Sequence, residues 1–174
     1  ISPMALQIVS AAELASDVIL AGMNAGFADY VVPMSLSSGQ FEAMCRQRAY
    51  DPLLSYVAMR DDNPAAIWLV GSRERLAYLM ASATVPAARG QGLASRLFKT
   101  SKAAILAQGM VGLQSEVIAT NAPARGLYAK LGFSEGRGLA CYRLPAGGTD
   151  AGEVGSLQDL EDLQDHLDWP ASWQ

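Results

Sequence analysis

The 174-residue sequence predicts an α/β fold in which helices pack on one mixed sheet. Three observations support this prediction: apolar runs of strand length, apolar repeats at helical spacing, and capping or turn residues between them. The order is strand, two helices, three strands, helix, strand, helix and two strands, about seven strands and four helices. Three consecutive strands exclude strict strand–helix alternation.

The first half of the sequence is expected to contain one strand, two helices and a three-strand meander. Residues 6–9 form the first strand, and Ser10-Ala-Ala-Glu13 has the pattern of a capping box that begins the first helix. The segment Ser37-Ser-Gly-Gln40 begins the second helix. The meander strands are expected at 53–59, 66–70 and 75–85, with turns at 61–64 and 71–74.

The second half is expected to alternate helices and strands. The third helix begins at Leu93 and ends at Gly109, and the fourth spans 121–131, with Pro123 in its first turn and Gly132 after its end. Strands are expected at 113–119, 133–135 and 139–144.

The sequence predicts a main domain at 4–145, with Met4 as the expected natural start, and an acidic extension at 146–174. Residues 150–174 contain seven acidic residues and neither Lys nor Arg. Residues 146–155 have the composition of a linker, and leucines recur at helical spacing after residue 156. This last helix is expected to be packed or solvated. The alternatives are a homodimer contact and a link to a further domain.

The composition predicts a soluble globular protein. Apolar residues form 51% of the chain and charged residues 17%, with a net charge of -4. No uninterrupted run of about 18 apolar residues is present, so no membrane span is expected. The first residues lack a basic stretch followed by an apolar one, which predicts a cytoplasmic protein.

Cysteine and histidine usage argues against metal and catalytic-triad chemistry. Cys45 and Cys141 lie far apart and are expected to be reduced thiols. The only histidine, His166, lies in the acidic extension, so no metal site and no Ser-His-Asp triad is expected. Before residue 150, bases slightly outnumber acids. That excess suits a small anionic ligand and is too weak for nucleic acid.

The loop before the third helix is a candidate ligand site. The segment Arg89-Gly-Gln-Gly-Leu-Ala-Ser95 follows a strand and begins a helix, whose first amides lack internal partners. Glycines let a diphosphate approach such amides closely. An ordinary tight turn is the alternative. A dinucleotide loop would need glycine at Ser95, and a Walker loop would need Gly-Lys-Ser/Thr.

Two motifs resemble the signatures of the GNAT superfamily of N-acetyltransferases. Arg89, Gly92 and Ala94 match Arg/Gln-x-x-Gly-x-Gly/Ala in order, and Pro86 is also typical. Residues 121–133 resemble the second signature, Asn-x-x-Ala-x-x-Leu-Tyr-x-Lys-Leu-Gly-Phe, at every defined position. The order of strands and helices resembles that of the family over residues 5–145, and the signature motifs lie within residues 84–133. It implies the GNAT acyl-CoA N-acyltransferase fold.

The resemblance further implies that acetyl-CoA is the cosubstrate and that an amine of a small molecule or peptide attacks it directly. No cysteine or serine nucleophile is then required. The family pattern assigns pantetheine contacts to Thr84, Val85, Asn121 and Ala124. Backbone amides are expected to bind the diphosphate at Arg89, Gly90, Gln91, Gly92, Leu93, Ala94 and Ser95.

Tyr128 and Glu116 are the catalytic candidates. By the family pattern, Tyr128 lies near the sulfur and assists the departing thiolate. A tyrosine pKa of about 10 exceeds a thiol pKa of about 8.5, which favours hydrogen bonding over full proton transfer. A packed aromatic is the structural alternative for Tyr128. The ammonium, at a pKa of about 10.4, needs roughly 4–5 kcal/mol to lose its proton at pH 7. Glu116 is the candidate base, with a structural hydrogen-bonding role as its alternative, and Tyr78 or ordered water could serve as the base instead.

The acceptor pocket is expected between the first helices and the closing strands. Phe27, Tyr30, Tyr78 and Tyr142 are its candidate residues, with Asp29 and Glu42 as further plausible lining. Aromatic rings beside a carboxylate would suit a cationic amine. Ordinary core or surface roles are the alternatives. A non-catalytic acyl-CoA-binding module on the same fold is the second functional hypothesis.

Overall fold

The computed structural model describes residues 6–32 and 34–140. Within them, five strands form one sheet in the order β1-β2-β3-β4-β5. The strands are β1 (Leu6–Ser10), β2 (Tyr56–Arg60), β3 (Asn63–Arg73), β4 (Leu76–Thr84) and β5 (Gly112–Gln114), and the helices are α1 (Ser16–Gly26), α2 (Ser38–Gln47), α3 (Leu93–Ala107) and α4 (Ala122–Lys130). The first four strands are antiparallel neighbours, and β5 runs parallel to β4.

The predicted mixed α/β architecture with four helices is confirmed, and five of the roughly seven predicted strands are present among the described residues. Residues 133–135 are not a strand, because Phe133 closes the end of α4 through its amide and packs against Tyr128. The predicted strand at 139–144 lies mostly outside the described residues. The domain boundary at 145, the linker and the C-terminal helix lie outside them entirely.

Capping residues account for the helix starts. The predicted start of α2 is confirmed, and Ser37 and Gln40 form a reciprocal capping box there, with bonds of 2.9 and 3.3 Å. The prediction for Ser10 is wrong in one respect: it caps a 3-10 helix (Ala11–Glu13), and α1 begins only at Ser16. The buried Ala11 is tied by its amide to the carbonyl of Ser55, and Leu14 is extended, which separates the two helices.

The meander strands are longer and their turns shorter than predicted. β3 spans eleven residues, so Pro64 and Gly71, both expected in turns, lie inside it. The connecting turns centre on Asp61 and Glu74, which adopt positive φ angles of 54° and 52°. Such tight turns leave more residues for pairing, since each strand continues to the turn itself.

The core lies on both faces of the sheet. One apolar cluster joins α1 and α2 to β2–β4, and the other joins α3 and α4 to the opposite face. β3 lies in the middle, and all residues from Ala65 to Gly71 are buried. No helix in the described part of the chain is long and apolar enough to cross a membrane.

Gly71 brings the C-terminal end of α2 directly onto the sheet. A Cβ atom at this position would overlap the carbonyl oxygen of Arg48. Ser72 in turn donates its amide to the carbonyl of Ala49 at 3.0 Å, and Tyr50 forms a bridge with Gly71. The position of Arg48 is therefore set by backbone contact with β3.

Tyr50 makes the stability of the fold depend on pH in the alkaline range. Its hydroxyl is buried without a hydrogen-bond partner among the described residues, and burial raises the pKa of Tyr50 to about 12. An unfolded tyrosine has a pKa of about 10, so the neutral form stabilises the fold fully below pH 10. This contribution is lost as the pH rises toward 12. Because the side chain is partly exposed, we expect a loss of up to about 2 kcal/mol.

Tyr50→Phe is therefore expected to reduce the fall in unfolding free energy between pH 8 and pH 11, as measured by denaturant titration. Tyr56→Phe is the control, because the Tyr56 hydroxyl is exposed and makes only a long contact of 3.4 Å with the Leu53 carbonyl. If the unfolding free energy fell equally in the wild type and in Tyr50→Phe between pH 8 and pH 11, Tyr50 would not be the source of the alkaline loss.

Candidate active site

The sheet opens between β4 and β5. These strands pair only from Leu76 to Tyr78, opposite residues 112–114. Beyond Tyr78, β4 continues to Thr84 without a partner strand on this side among the described residues. Alternate backbone amides and carbonyls of this free edge can pair with an extended ligand.

A bulge in β4 adjoins the opening. Leu69 pairs with Ala81 and Val70 with Leu79, so Met80 is an extra residue on β4. A bulge bends its strand and increases the local twist. The prediction of a strand at 113–119 is correct only to Gln114, because the chain leaves β4 there. Glu116 therefore lies in an exposed irregular segment and not on a strand.

The end of β4 leads into a turn that exposes a row of backbone amides. A 3-10 helix (Pro86–Ala88) is followed by Gly90 and Gly92, whose φ angles are 75° and 70°, and α3 begins at Leu93. Among the described residues, no hydrogen bond uses the amides of residues 90–95. The next amide, that of Arg96, donates to the Gly92 carbonyl at 3.2 Å and begins the internal bonding of the helix.

This geometry suits a diphosphate. The free amides meet the positive end of the dipole of a fifteen-residue helix. A Cβ at Gly90 or Gly92 would contact no atom within 4 Å, so the space outside both glycines is open. Arg60 adds a positive charge at the loop, donating to Gln91 at 2.7 Å.

The side chain of Arg89 points away from these amides. Its guanidinium forms a paired contact with the Asp29 carboxylate at 2.6 and 2.7 Å and also donates to the carbonyls of Thr84 and Gly26. Hydrogen bonding to Arg89 is the main reason that the pKa of Asp29 is lowered. The Arg89 amide, which was predicted to bind the diphosphate, donates to the Pro86 carbonyl at 3.3 Å, so the free amides begin at Gly90 among the described residues. The Arg89 side chain joins α1 to the end of β4.

The backbone groups of Thr84 and Val85 are partly engaged within the protein. The amide of Val85 donates to the Ala65 carbonyl at 2.9 Å, and its carbonyl accepts from Ala88 at 2.9 Å. The Thr84 carbonyl accepts from Nε of Arg89 at 3.1 Å. Carbonyl oxygens can accept a second hydrogen bond, so the predicted pantetheine contacts would use the carbonyls and not the Val85 amide.

The second motif forms α4 as expected, and Asn121 caps it. The Asn121 side chain accepts from the amide of Ala124 at 3.2 Å, and Pro123 lies in the first turn. Gly132, with a φ angle of 91°, follows the helix end. The signature residues Asn121 and Ala124 therefore set the start of the helix that carries Tyr128.

Tyr128 is half-buried on α4, with its ring centroid 5.4 Å from that of Phe133. Burial is the main cause of the raised pKa of Tyr128, while hydrogen bonding to Ser115 lowers it. Tyr30 and Tyr78 are close enough to raise this pKa further. Three tyrosines from distant parts of the sequence are thus brought close together.

Tyr78 lies in a cluster of polar side chains that includes two charged residues, Arg48 and Glu116. Nη1 of Arg48 donates to the Tyr78 hydroxyl at 2.7 Å, and the guanidinium carbon lies 5.4 Å from the ring centroid. The pKa of Tyr78 is raised, mainly by burial. Arg48 lowers it, and Glu116 raises it by its charge and by its capacity to accept a hydrogen bond. Arg48 and Ser115 were absent from the sequence predictions, since neither belongs to a recognisable motif.

Three of the remaining acceptor candidates lie just after α1. Phe27 and Tyr30 pack edge to face, with centroids 5.2 Å apart and planes at 80°. Asp29 lies between them and is bound to Arg89, so its charge is already paired. Glu42 is exposed on α2, and Tyr142 lies outside the described residues.

Comparison with known proteins identifies the family. The sequence model of the acetyltransferase (GNAT) family matches residues 27–133. This match covers more than half of the chain, and the chain belongs to that family. A search of curated proteins found no match to the sequence.

Solved structures share the fold. The ribosomal-protein-S18-alanine N-acetyltransferase from Escherichia coli superposes with a TM-score of 0.62 at 23% identity, covering 76% of this chain and 80% of that one. The enzyme AAC(6')-Iy, bound to the bisubstrate analogue CoA-S-monomethyl-acetylneamine, gives 0.60 at 14% identity, covering 82% and 99%. Glucosamine-6-phosphate N-acetyltransferase from Arabidopsis thaliana gives 0.60 at 12% identity, covering 81% and 99%.

Proposed function

We propose that this protein transfers the acetyl group of acetyl-CoA directly to a primary amine. The observation that carries the proposal is the row of free amides at the start of α3, placed beside the open edge of β4. The diphosphate of a ligand would bind at these amides. Its extended thioester arm would then follow the edge of β4 toward Tyr128. Acetyl-CoA has this shape and charge.

Binding would use backbone groups in two ways. The amides of residues 90–95 would hold the diphosphate at the helix dipole, where no buried charge has to be neutralised. The pantetheine arm would lie along β4 from Leu79 to Thr84 and donate its amides to strand carbonyls. No residue of the protein has to become covalently modified.

In the chemical step, the neutral amine nitrogen forms a bond to the thioester carbon, and the carbon–sulfur bond breaks. The nitrogen then loses one proton and the sulfur gains one, so the products are a neutral amide and free CoA thiol. The departing sulfur gains negative charge, which Tyr128 would stabilise by donating a hydrogen bond. Its raised pKa keeps the proton on the phenol at neutral pH, since burial disfavours the phenolate. A fully transferred proton would be more costly from this tyrosine than from an exposed one.

Before attack the amine has to release a proton. Glu116 lies beside Tyr78 in the exposed segment that follows β5, so its carboxylate can attract the ammonium and accept that proton through water. Water access at this position provides the route by which the proton leaves.

The proposal is tested by following thiol release from acetyl-CoA against a panel of primary amines, with acetylated products identified by mass spectrometry. Acetyl-CoA-dependent formation of an N-acetyl product supports the proposal. Binding of CoA without turnover of any amine would instead favour a non-catalytic acyl-CoA-binding module. The absence of CoA binding would contradict both.

Gly92→Val is expected to weaken CoA binding about tenfold or more, because a side chain would fill the open space beside the free amides. Gly109→Val is the matched control. Gly109 follows the other end of α3, has a φ angle of 71° and likewise has no atom within 4 Å of an added Cβ. Both changes place a branched residue in the left-handed region, at a cost of roughly 1–2 kcal/mol.

Calorimetric titration of both variants with CoA separates a loss of CoA binding from the cost of a branched residue at a positive φ angle. Equal CoA affinities for the two variants would show that the loop at Gly92 does not bind the diphosphate, because their costs in folding are matched.

A further inference from the structure

Arg48 has the position of a ligand-binding residue and no internal counter-ion. It is exposed at the C-terminal cap of α2, and among the described residues it forms no ion pair. Of its side-chain nitrogens, only Nη1 donates a hydrogen bond to a described residue, to the Tyr78 hydroxyl. Nε and Nη2 remain available, and these two groups on one edge of a guanidinium match the two oxygens of a carboxylate.

The backbone fixes where this guanidinium can lie. Gly71 allows the carbonyl of Arg48 to touch β3, and Gly71 is the direct pairing partner of Tyr78 on β4. The Arg48 side chain then crosses one strand and covers the Tyr78 ring. A guanidinium held over an aromatic ring and bonded to its hydroxyl loses less freedom on binding a ligand than a free one would.

Two residues of opposite charge belong to the surroundings of Tyr78. Arg48 donates to its hydroxyl at 2.7 Å, and Glu116 follows two residues after Gln114, the pairing partner of Tyr78 on β5. Tyr78 is itself a neighbour of Tyr128. A ligand with an ammonium and a carboxylate a few bonds apart would match both charges and present its nitrogen near the tyrosines.

We propose that the acceptor is an amino-acid-type amine, and that Arg48 binds its carboxylate while the amine lies at the Tyr78–Tyr128 side. This inference rests on the proposed function, because it names the acceptor class of the same site. The named relatives act on or bind chemically different amines, a ribosomal-protein alanine and glucosamine-6-phosphate among them. The acceptor class therefore has to come from the residues of this chain.

The first test measures binding and does not need turnover. N-acetyl amino acids and the corresponding N-acetyl amino acid amides are titrated into the protein saturated with CoA, by calorimetry. Wild-type protein is expected to bind at least one carboxylate about tenfold or more tightly than its amide, since charge-assisted hydrogen bonds are lost in the amide. Arg48→Met is expected to remove this difference.

Arg46→Met is the matched control. Arg46 lies in the last turn of the same helix and is also exposed, and its side chain makes no hydrogen bond or ion pair among the described residues. It should retain the preference for the carboxylate. Tyr78→Phe keeps the ring under Arg48 but removes the anchoring hydroxyl, and should reduce the preference without abolishing it.

A second measurement compares kcat/KM for free amino acids and their amides. A preference for the carboxylate that disappears in Arg48→Met supports the proposal. Three results of the binding titration would overturn it: equal affinity for carboxylates and amides, no binding of any carboxylate, or an unchanged preference in Arg48→Met. Acetylation of amines without regard to a carboxylate would overturn this inference alone. Turnover of no amine would contradict the proposed function, and the binding titration would still decide the role of Arg48.

Discussion

Tyr128→Phe is expected to lower kcat about 100-fold or more and to leave the affinity for CoA within about twofold, since one hydrogen bond to developing charge has that magnitude. The phenol hydroxyl would act only when the carbon–sulfur bond breaks, so its loss falls on the chemical step. The ring remains in place, because the contacts with Phe133 and the apolar cluster of α3 are made by carbon atoms.

Steady-state kinetics with acetyl-CoA and the best amine of the panel, together with calorimetric CoA titration, provide the measurement. Tyr56→Phe is the control, because its hydroxyl lies on β2 and is exposed. If kcat for Tyr128→Phe matches the wild-type value, Tyr128 is only a packed aromatic and has no part in the reaction.

Gly71→Ala is expected to destabilise the fold by about 3 kcal/mol or more, the upper part of the range for overpacked sites. Its Cβ would overlap a backbone oxygen, which cannot rotate away as a side chain can. Relief requires that the end of α2 moves off β3, and this movement disturbs the bridge from Tyr50 to Gly71.

Gly39→Ala is the control for this effect. Gly39 lies in the first turn of α2, is exposed, and has no atom within 4 Å of an added Cβ. Alanine there should be neutral or should stabilise the helix by up to about 1 kcal/mol. Denaturant unfolding of both variants checks the contrast. A loss below about 1 kcal/mol for Gly71→Ala would show that the turn at Arg48 is not held against the strand.

Local signals explain why so much of the fold is predictable. The capping box at Ser37, the proline in the first turn of α4 and the glycines after α3 and α4 each act through neighbouring residues. The proline and both glycines lie where the sequence predicted them, and the helix start predicted at Ser37 is confirmed. The motif loop is likewise local, and its helix begins at Leu93 as expected.

Features that depend on distant contacts were predicted poorly. Ser10 resembles an ordinary helix cap, but the hydrogen bond between Ala11 and Ser55 holds the first turn apart from α1. The apolar run after Gln114 resembles a strand, but pairing with β4 ends at Tyr78. The hydrophobic periodicity of a segment does not show where its partner strand stops pairing, so the end of β5 could not be predicted from it.

The same limit applies to the site. Tyr30, Tyr78 and Tyr128 were each candidates on separate grounds, and their proximity follows from the fold alone. Arg48 gave no sequence signal, because its role depends on a glycine 23 positions away that places it over β4. The partner of Arg89 could not be inferred either, since Asp29 lies in another loop.

The contact of Arg89 with Asp29 links the proposed diphosphate loop to the chain just after α1. Arg89, at the start of this loop, donates hydrogen bonds to Gly26 at the C-terminal end of α1 and to Asp29 just after it, close in sequence to Phe27 and Tyr30. Under the proposed function, a cofactor that favours one arrangement of the loop would also favour one arrangement of the end of α1. By thermodynamic reciprocity, an acceptor that favours the same arrangement would then increase the affinity for the cofactor by the same factor.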